Sequence, residues 1–179
     1  MLGRAPVIDF DGTLARLAVP WSSVRVAVDV DRIDDLWGRR DQRGWSVVRA
    51  AELEAASSAE PVTATFEALA HTVAFAVLTS NSEDAVQRFL ARFPTLLSRA
   101  AIVVGRERLG GPKTSFEVFS RGFAACRRGT AASRGHEPLV YLGDSEFELE
   151  FARRLGAVSR HVVELGATSP TLSRPPERR

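Results

Sequence analysis

Five short apolar runs recur along the chain and alternate with helical patterns, and this rhythm constrains the fold most. The runs lie at residues 5–8, 73–78, 101–104, 139–142 and 158–163. They are rich in β-branched residues, as expected of strands buried on both faces of a parallel sheet. Apolar residues recur at helical spacing between them, over residues 83–93, 114–128 and 146–155. This alternation predicts an α/β fold with a Rossmann-like, doubly wound parallel sheet.

The stretch from residue 15 to residue 71 interrupts this rhythm. It holds all three tryptophans of the chain and has amphipathic patterns at residues 46–56 and 62–69. We therefore predict a small α-helical cap inserted after the first strand, over 15–71. Residues 1–14 and 72–167 would form the α/β core. The Ser-, Pro- and Arg-rich tail, 168–179, is expected to be disordered.

The tryptophans of the insertion, Trp21, Trp37 and Trp45, allow two interpretations. Large aromatic side chains usually pack, so they are expected to form the core of the insertion. Alternatively, Trp21 and Trp37 contact a substrate, together with Arg25 or Arg43. The sequence does not decide between these interpretations.

Composition excludes several classes of partner. The formal net charge is only +2, from 24 basic and 22 acidic residues spread along the chain, so no basic stripe predicts nucleic-acid binding. No apolar run approaches the roughly 20 residues that span a bilayer. Cys126 is the only cysteine, which excludes an internal disulfide and favours a reducing compartment. We expect a soluble cytoplasmic protein of unknown oligomeric state.

Two aspartates one residue apart follow the first apolar run. Asp9 and Asp11 precede a Gly12-Thr13 turn. Carboxylates this close repel each other unless a cation lies between them, and a divalent cation that prefers oxygen ligands is the usual solution. One aspartate can then attack an electrophile while the other handles a proton. This pattern predicts covalent phosphoryl transfer.

Further polar residues end later strands, where α/β folds place their sites. Ser80 and Asn81 follow the second run; the hydroxyl of Ser80 can donate to a phosphate, as can free N–H groups of the helix that begins near Ser82. Asp144 follows the fourth run and suits a metal, and Glu148 lies one helical turn later. Glu148 is expected either to orient a metal-bound water or to pair with a lysine.

Lys113 is the only lysine of an arginine-rich chain and follows a Gly-Gly-Pro turn. A compact ammonium beside the aspartates would neutralise both the nucleophile and the phosphate that it attacks. The three histidines, His71, His136 and His161, share no spacing and are interpreted as structural or exposed. Glycine-rich loops of the phosphate- and dinucleotide-binding types are absent from the sequence.

Taken in order, these pieces resemble the motifs of the haloacid dehalogenase (HAD) superfamily, in its phosphoglycolate-phosphatase-like subgroup with a small helical cap. The four motifs look like Asp9 to Thr13, Ser80, Lys113 and Gly143 to Glu148. The resemblance implies that Asp9 is the nucleophile and Asp11 the general acid and base. Ser80 and Lys113 would assist catalysis. The substrate phosphate would be bound by Phe10, Asp11, Ser80, Asn81 and Lys113.

The same resemblance implies a Mg²⁺ cofactor, held by Asp9, a backbone carbonyl at Asp11, and Asp144. Glu148 would contact groups around the metal rather than the metal itself. The implied reaction is hydrolysis of a small phosphomonoester through an aspartyl-phosphate. Dehalogenases of the superfamily lack a carboxylate at the position of Asp11, which favours a phosphatase. The alternatives are a phosphomutase of the β-phosphoglucomutase type and a non-catalytic binding protein.

Two residues depart from the usual pattern. The second acid of the fourth motif is usually aspartate, whereas this chain has Glu148, and the lysine is usually followed by proline rather than by Thr114. The first departure leaves the metal contact open, and the second leaves the loop geometry open. Which phosphorylated metabolite binds is also open.

Overall fold

The structure, a computed structural model, describes residues 5–130 and 139–167. Its strands are β1 (Val7–Ile8), β2 (Ala15–Arg16), β3 (Glu60–Pro61), β4 (Phe75–Leu78), β5 (Ala100–Val104), β6 (Val140–Gly143) and β7 (Val158–His161). Five of them form one sheet in the order β5-β4-β1-β6-β7, and all its pairings are parallel. The predicted α/β fold with a parallel sheet is confirmed.

The helices of the core cover both faces of this sheet. The helices of the described residues are α1 (Trp21–Ala27), α2 (Asp35–Arg39), α3 (Gln42–Ser58), α4 (Thr63–Leu69), α5 (Glu83–Leu90), α6 (Pro94–Leu97), α7 (Arg106–Leu109), α8 (Phe116–Gly129), α9 (Glu146–Arg154) and α10 (Val162–Ala167). None of those in the described ranges is long and apolar enough to cross a lipid bilayer.

Strand periodicity creates two separate hydrophobic cores. Ile8 and Leu142 belong to one cluster, which includes Phe89 of α5. Their strand neighbours Val7 and Tyr141 belong to another, which includes residues of α8 and α9. Successive side chains on a strand point to opposite faces, so fully apolar strands require helices on both sides. This is the physical basis of the doubly wound arrangement.

The segment between β1 and β4 is mostly helical and has its own apolar cluster. Val24 of α1, Leu36 of α2 and Val48 of α3 are buried in it. Within this segment, β2 precedes α1 and β3 follows α3, and these two strands pair antiparallel with each other. This short ribbon, which the sequence analysis did not predict, brings the two ends of the helical insertion together beside the sheet.

Most predicted elements are present, with shifted ends. The first helix of the core was predicted over 83–93, but it stops at Leu90 and a short helix begins at Pro94. Proline is well suited to the first turn of a helix and disfavours helical geometry in the residue before it, which separates the two. The last run, predicted over 158–163, is a strand only to His161. His136 and the tail 168–179 lie outside the described residues.

Candidate active site

Asp9 and Lys113 form a buried ion pair at the centre of the sheet. Asp9 directly follows β1, and its N–H donates to the carbonyl of Leu142 on β6 at 2.9 Å. The Lys113 ammonium lies 2.5 Å from Asp9 Oδ1, and the two residues are only 4% and 6% exposed. Lys113 also donates to the Leu78 carbonyl at the end of β4, 3.3 Å away. Residues 104 positions apart in sequence therefore meet at the carboxyl ends of β1 and β4.

Glu148 binds the other side of the same ammonium. Its Oε1 lies 2.8 Å from Lys113 Nζ, and its Oε2 accepts a hydrogen bond from the Tyr141 hydroxyl. Burial raises the pKa of Glu148 to about 7, while Lys113 opposes the rise. Burial by itself would lower the pKa of Lys113, but Asp9 and Glu148 raise it above its ordinary value. The lysine is thus held as a cation between two carboxyl groups, with Tyr141 fixing the second one.

Asp11 lies on the turn that leaves the sheet. Its Oδ1 accepts a hydrogen bond from the backbone N–H of Leu17 at 2.9 Å. Burial raises the pKa of Asp11, the Leu17 contact opposes this, and repulsion from Asp9 and Asp144 raises it further. A carboxyl group with a raised pKa keeps a proton closer to neutrality, which is the property required of a general acid.

Asp144 lies against the backbone of the same turn. Gly12 has a φ of +78°, and a Cβ placed on it would come within 2.1 Å of Asp144 Oδ2. Only glycine permits both this conformation and this approach. The carbonyl of Asp144 accepts a hydrogen bond at 3.0 Å from Nε2 of His161, because Nδ1 of that ring accepts from the Val163 N–H. His161, interpreted from sequence as structural or exposed, thus holds the loop that carries Asp144.

The donor chemistry around this turn fits Mg²⁺. The carboxylates of Asp9 and Asp144 interact, because burial and then Asp9 raise the pKa of Asp144. Mutually repelling oxygen donors are the ligands that a hard divalent cation prefers. However, within residues 5–130 and 139–167, no group of three His, Cys, Asp or Glu side chains is arranged to hold a metal ion. The chemical type of these ligands therefore suits Mg²⁺, whereas the side chains are not positioned to bind one ion together.

A cavity of about 300 Å³ opens above the ion pair. Its lining combines core and insertion residues, among them Asp9, Asp11, Ser80, Lys113, Glu148, Trp21, Ile33, Asp34, Trp37, Trp45, Glu52 and Arg106. A concave site with a few converging polar groups and shifted pKa values is the arrangement expected of an active site. Asp144 is not part of this lining.

The loop after β4 differs from the prediction. Ser80 is exposed and lines the cavity, so its hydroxyl is available to a ligand. Asn81 is buried, accepts from the Thr79 hydroxyl at 2.9 Å and donates to Glu52 at 3.2 Å. The N–H of Ser82 donates to Glu52 at 3.0 Å, and the Ser82 hydroxyl caps α5. The helix terminus expected to bind phosphate is instead occupied by a glutamate from the insertion.

Glu52 and Arg106 form a second buried ion pair, which the sequence analysis missed. The two guanidinium nitrogens of Arg106 lie 2.8 and 2.9 Å from the two carboxylate oxygens of Glu52. The Arg106 side chain is 7% exposed and the Glu52 side chain is 1% exposed. The Arg106 guanidinium also lies over the ring of Trp45, 4.6 Å from its centroid. Both residues occur within charged helical stretches, so only the tertiary contact distinguishes them from surface residues.

The remaining predicted site residues are distributed as follows. Phe10 is fully buried and its ring packs edge-on against Phe89 at 5.5 Å, so only its backbone is available to a phosphate. Arg25 lines a separate surface pocket beside Asp29 rather than the cavity, and Arg43 is exposed. The structure therefore does not bring these two arginines to the cavity, whereas all three tryptophans line it.

Comparison with solved structures shows that this chain shares its fold with several HAD-type proteins. L-2-haloacid dehalogenase from Xanthobacter autotrophicus has 18% identity and a TM-score of 0.55, over 87% of this chain and 76% of its own. A HAD-superfamily hydrolase of subfamily IA, variant 1, from Geobacter sulfurreducens has 19% identity and a TM-score of 0.54, over 87% and 85%. YfnB of Bacillus subtilis, named as a candidate HAD-hydrolase and bound to magnesium, has 14% identity and a TM-score of 0.56, over 87% and 86%.

At these identities the likeness establishes a shared fold and no shared substrate. A search against family profiles gave no match. A search of curated protein sequences also gave no match.

Proposed function

We propose that the chain is a cytoplasmic HAD-superfamily hydrolase that cleaves a small phosphomonoester with the help of Mg²⁺. The observation that carries this proposal is the buried Lys113 ammonium, 2.5 Å from the Asp9 carboxylate, at the floor of a cavity of about 300 Å³. A nucleophilic carboxylate and a dianionic phosphate repel each other. A fixed cation beside both groups offsets that repulsion without having to reorganise during the reaction.

The proposed reaction proceeds in two halves. Asp9 attacks phosphorus while Asp11 gives its proton to the leaving oxygen, which forms an aspartyl-phosphate and releases the alcohol. Asp11, now a carboxylate, then removes a proton from water, which attacks phosphorus and frees Asp9 and inorganic phosphate. Lys113 neutralises the phosphoryl oxygens, and the Ser80 hydroxyl donates to one of them.

The proposed metal ligands are the carboxylates of Asp9 and Asp144 and the backbone carbonyl of Asp11. When bound, Mg²⁺ would offset negative charge on the transferred phosphoryl group. Glu148 lies outside this set: its two oxygens bind Lys113 and Tyr141, so it acts on the metal site through the lysine. This is the alternative that the sequence left open for a glutamate at this position.

The choice of a phosphatase over a dehalogenase rests on Asp11. Attack on carbon needs no proton donor for a halide leaving group, whereas an alkoxide leaving from phosphorus does. Asp11 is held by the Leu17 N–H and has a raised pKa, which fits a donor. A phosphomutase would use the same residues, but it would interconvert isomers and release little free phosphate.

The decisive experiment is phosphate release from an aryl phosphate such as p-nitrophenyl phosphate, with Mg²⁺ or with a chelator. Asp9→Asn should abolish turnover, because an amide is a poor nucleophile. Asp84→Asn is the matched control, since Asp84 is a half-exposed residue on α5 away from the cavity, and it should retain activity. Full activity of Asp9→Asn would refute the covalent mechanism, and halide release from a 2-haloacid without phosphate release would refute the phosphatase.

A further inference from the structure

Tryptophan is the residue type that the insertion contributes most often to the lining of the cavity. Trp21, Trp37 and Trp45 are half-buried, and all three line the cavity together with Ile33. The rings of Trp37 and Trp45 lie 4.8 Å apart with a 55° tilt between their planes. Ring surface left facing a cavity is suited to contact a flat apolar ligand.

The cations of this cavity are already engaged. Among the described residues that line it, only Lys113 and Arg106 carry a positive charge. Lys113 binds Asp9 and Glu148 and lies where the phosphate would be, and Arg106 binds Glu52 through both terminal nitrogens. Each would have to break a buried pair to bind a further anion, which is costly.

A further acid makes a second anion on the ligand still less favourable. Asp34 lines the cavity near the tryptophans, at the start of α2. A carboxylate or second phosphate on the organic part of the ester would face Asp34 without a free cation among the described lining residues to pair with. The charge pattern therefore selects against substrates that carry two anionic groups.

From the aromatic lining and the charge pattern together, we infer that the ester cleaved at this site joins its phosphate to a planar aromatic group and carries no second anionic group. The inference names the substrate class of the same cavity and rests on the proposed phosphatase function. Under it, the phosphate faces Lys113 and Asp9, while the ring contacts Trp37 and Trp21. Trp45 is covered on one face by Arg106 and supports Trp37.

The test compares esters whose leaving alcohols are chemically matched. 2-Phenylethyl phosphate and n-propyl phosphate are both esters of primary alcohols, so a difference between them reports contact with the ring rather than leaving-group reactivity. We expect kcat/KM to be at least about tenfold higher for the phenylethyl ester, since burial of a ring against aromatic side chains supplies that much selectivity. Phosphocholine and phosphoglycolate add a cationic and a doubly anionic ester to the panel.

Trp37 is the residue to change, because Trp21 and Trp45 also pack against the core of the insertion. Trp37→Ala should bring the phenylethyl-to-propyl ratio of kcat/KM close to one, and Trp37→Phe should restore most of it. Val26→Ala is the control, since Val26 lies on the same insertion, 82% exposed and outside this cavity. Equal rates for both esters, or a preference for phosphocholine or phosphoglycolate, would overturn the inference.

A binding measurement separates this inference from the proposed function. 2-Phenylethylphosphonate and n-propylphosphonate cannot be hydrolysed, and their affinities in the presence of Mg²⁺ can be compared by calorimetry. At least tenfold tighter binding of the aromatic phosphonate would support the inference even if no ester were cleaved. Equal affinities would overturn the inference, whereas phosphate release from every ester at equal rates would leave the phosphatase standing.

Discussion

The Glu52–Arg106 pair gives the sharpest prediction about stability, because its loss leaves a charge buried. Glu52 accepts four hydrogen bonds: two from Arg106, one from the Asn81 amide and one from the Ser82 N–H, at 2.8 to 3.2 Å. Glu52→Ala removes all four hydrogen bonds and leaves the Arg106 guanidinium, 7% exposed, without its counter-ion. Breaking a buried pair from one side costs about 3–5 kcal/mol.

The assay is urea unfolding followed by far-UV circular dichroism. With a slope of about 2 kcal/mol per molar urea, the expected loss moves the midpoint of Glu52→Ala down by about 2 M. The chain supplies a matched control, since Arg49, also on α3, pairs with Asp84 of α5, but with both side chains about half exposed. Asp84→Ala should cost at most about 1 kcal/mol, because water screens that pair.

The double variant Glu52→Leu with Arg106→Met extends the test. Replacing both partners with apolar residues removes the unpaired charge, and such replacements are often neutral or stabilising. The double variant should therefore unfold at a higher urea concentration than Glu52→Ala. A loss below about 1 kcal/mol for Glu52→Ala, or equal losses for it and Asp84→Ala, would refute the reasoning from burial.

Two further predictions concern the catalytic turn and the lysine network. Gly12→Ala should lower the free energy of unfolding by about 1–2 kcal/mol, because alanine is strained in the left-handed conformation. It should also raise the Mg²⁺ concentration needed for half-maximal activity, since a Cβ would displace the Asp144 carboxylate. Gly38→Ala is the control, because nothing lies within 4 Å of a Cβ at that position. A urea midpoint and a Mg²⁺ dependence of activity equal to those of the wild type would contradict this prediction for Gly12→Ala. Tyr141→Phe removes a donor that lowers the pKa of Glu148, so that pKa should rise beyond about 7. A carboxyl pKa raised on folding makes stability fall as pH rises from about 4.5 towards that pKa, so unfolding should show a larger deficit for Tyr141→Phe near pH 8 than near pH 5. Equal deficits at both pH values would exclude this role for the hydroxyl.

The sequence by itself determined the class of fold and the order of the chemical groups. Apolar runs alternating with helical patterns require a parallel sheet covered on both faces, because each strand has no polar side to expose to water. The Asp9 and Asp11 pair was readable for a similar reason, since two carboxylates one residue apart have few structural uses. The shortage of lysine in an arginine-rich chain also made Lys113 visible before its position was known.

Only the tertiary structure decided which partners these groups have. Glu148 could have faced a metal-bound water or the lysine, and its contacts with Lys113 and Tyr141 depend on how α9 packs on the sheet. Glu52 looked like any charged helical residue until α3 placed it at the start of α5, where it occupies the amide expected to bind phosphate. Sequence periodicity specifies which side of an element faces the core, whereas the meeting of groups from distant elements is set by packing in three dimensions.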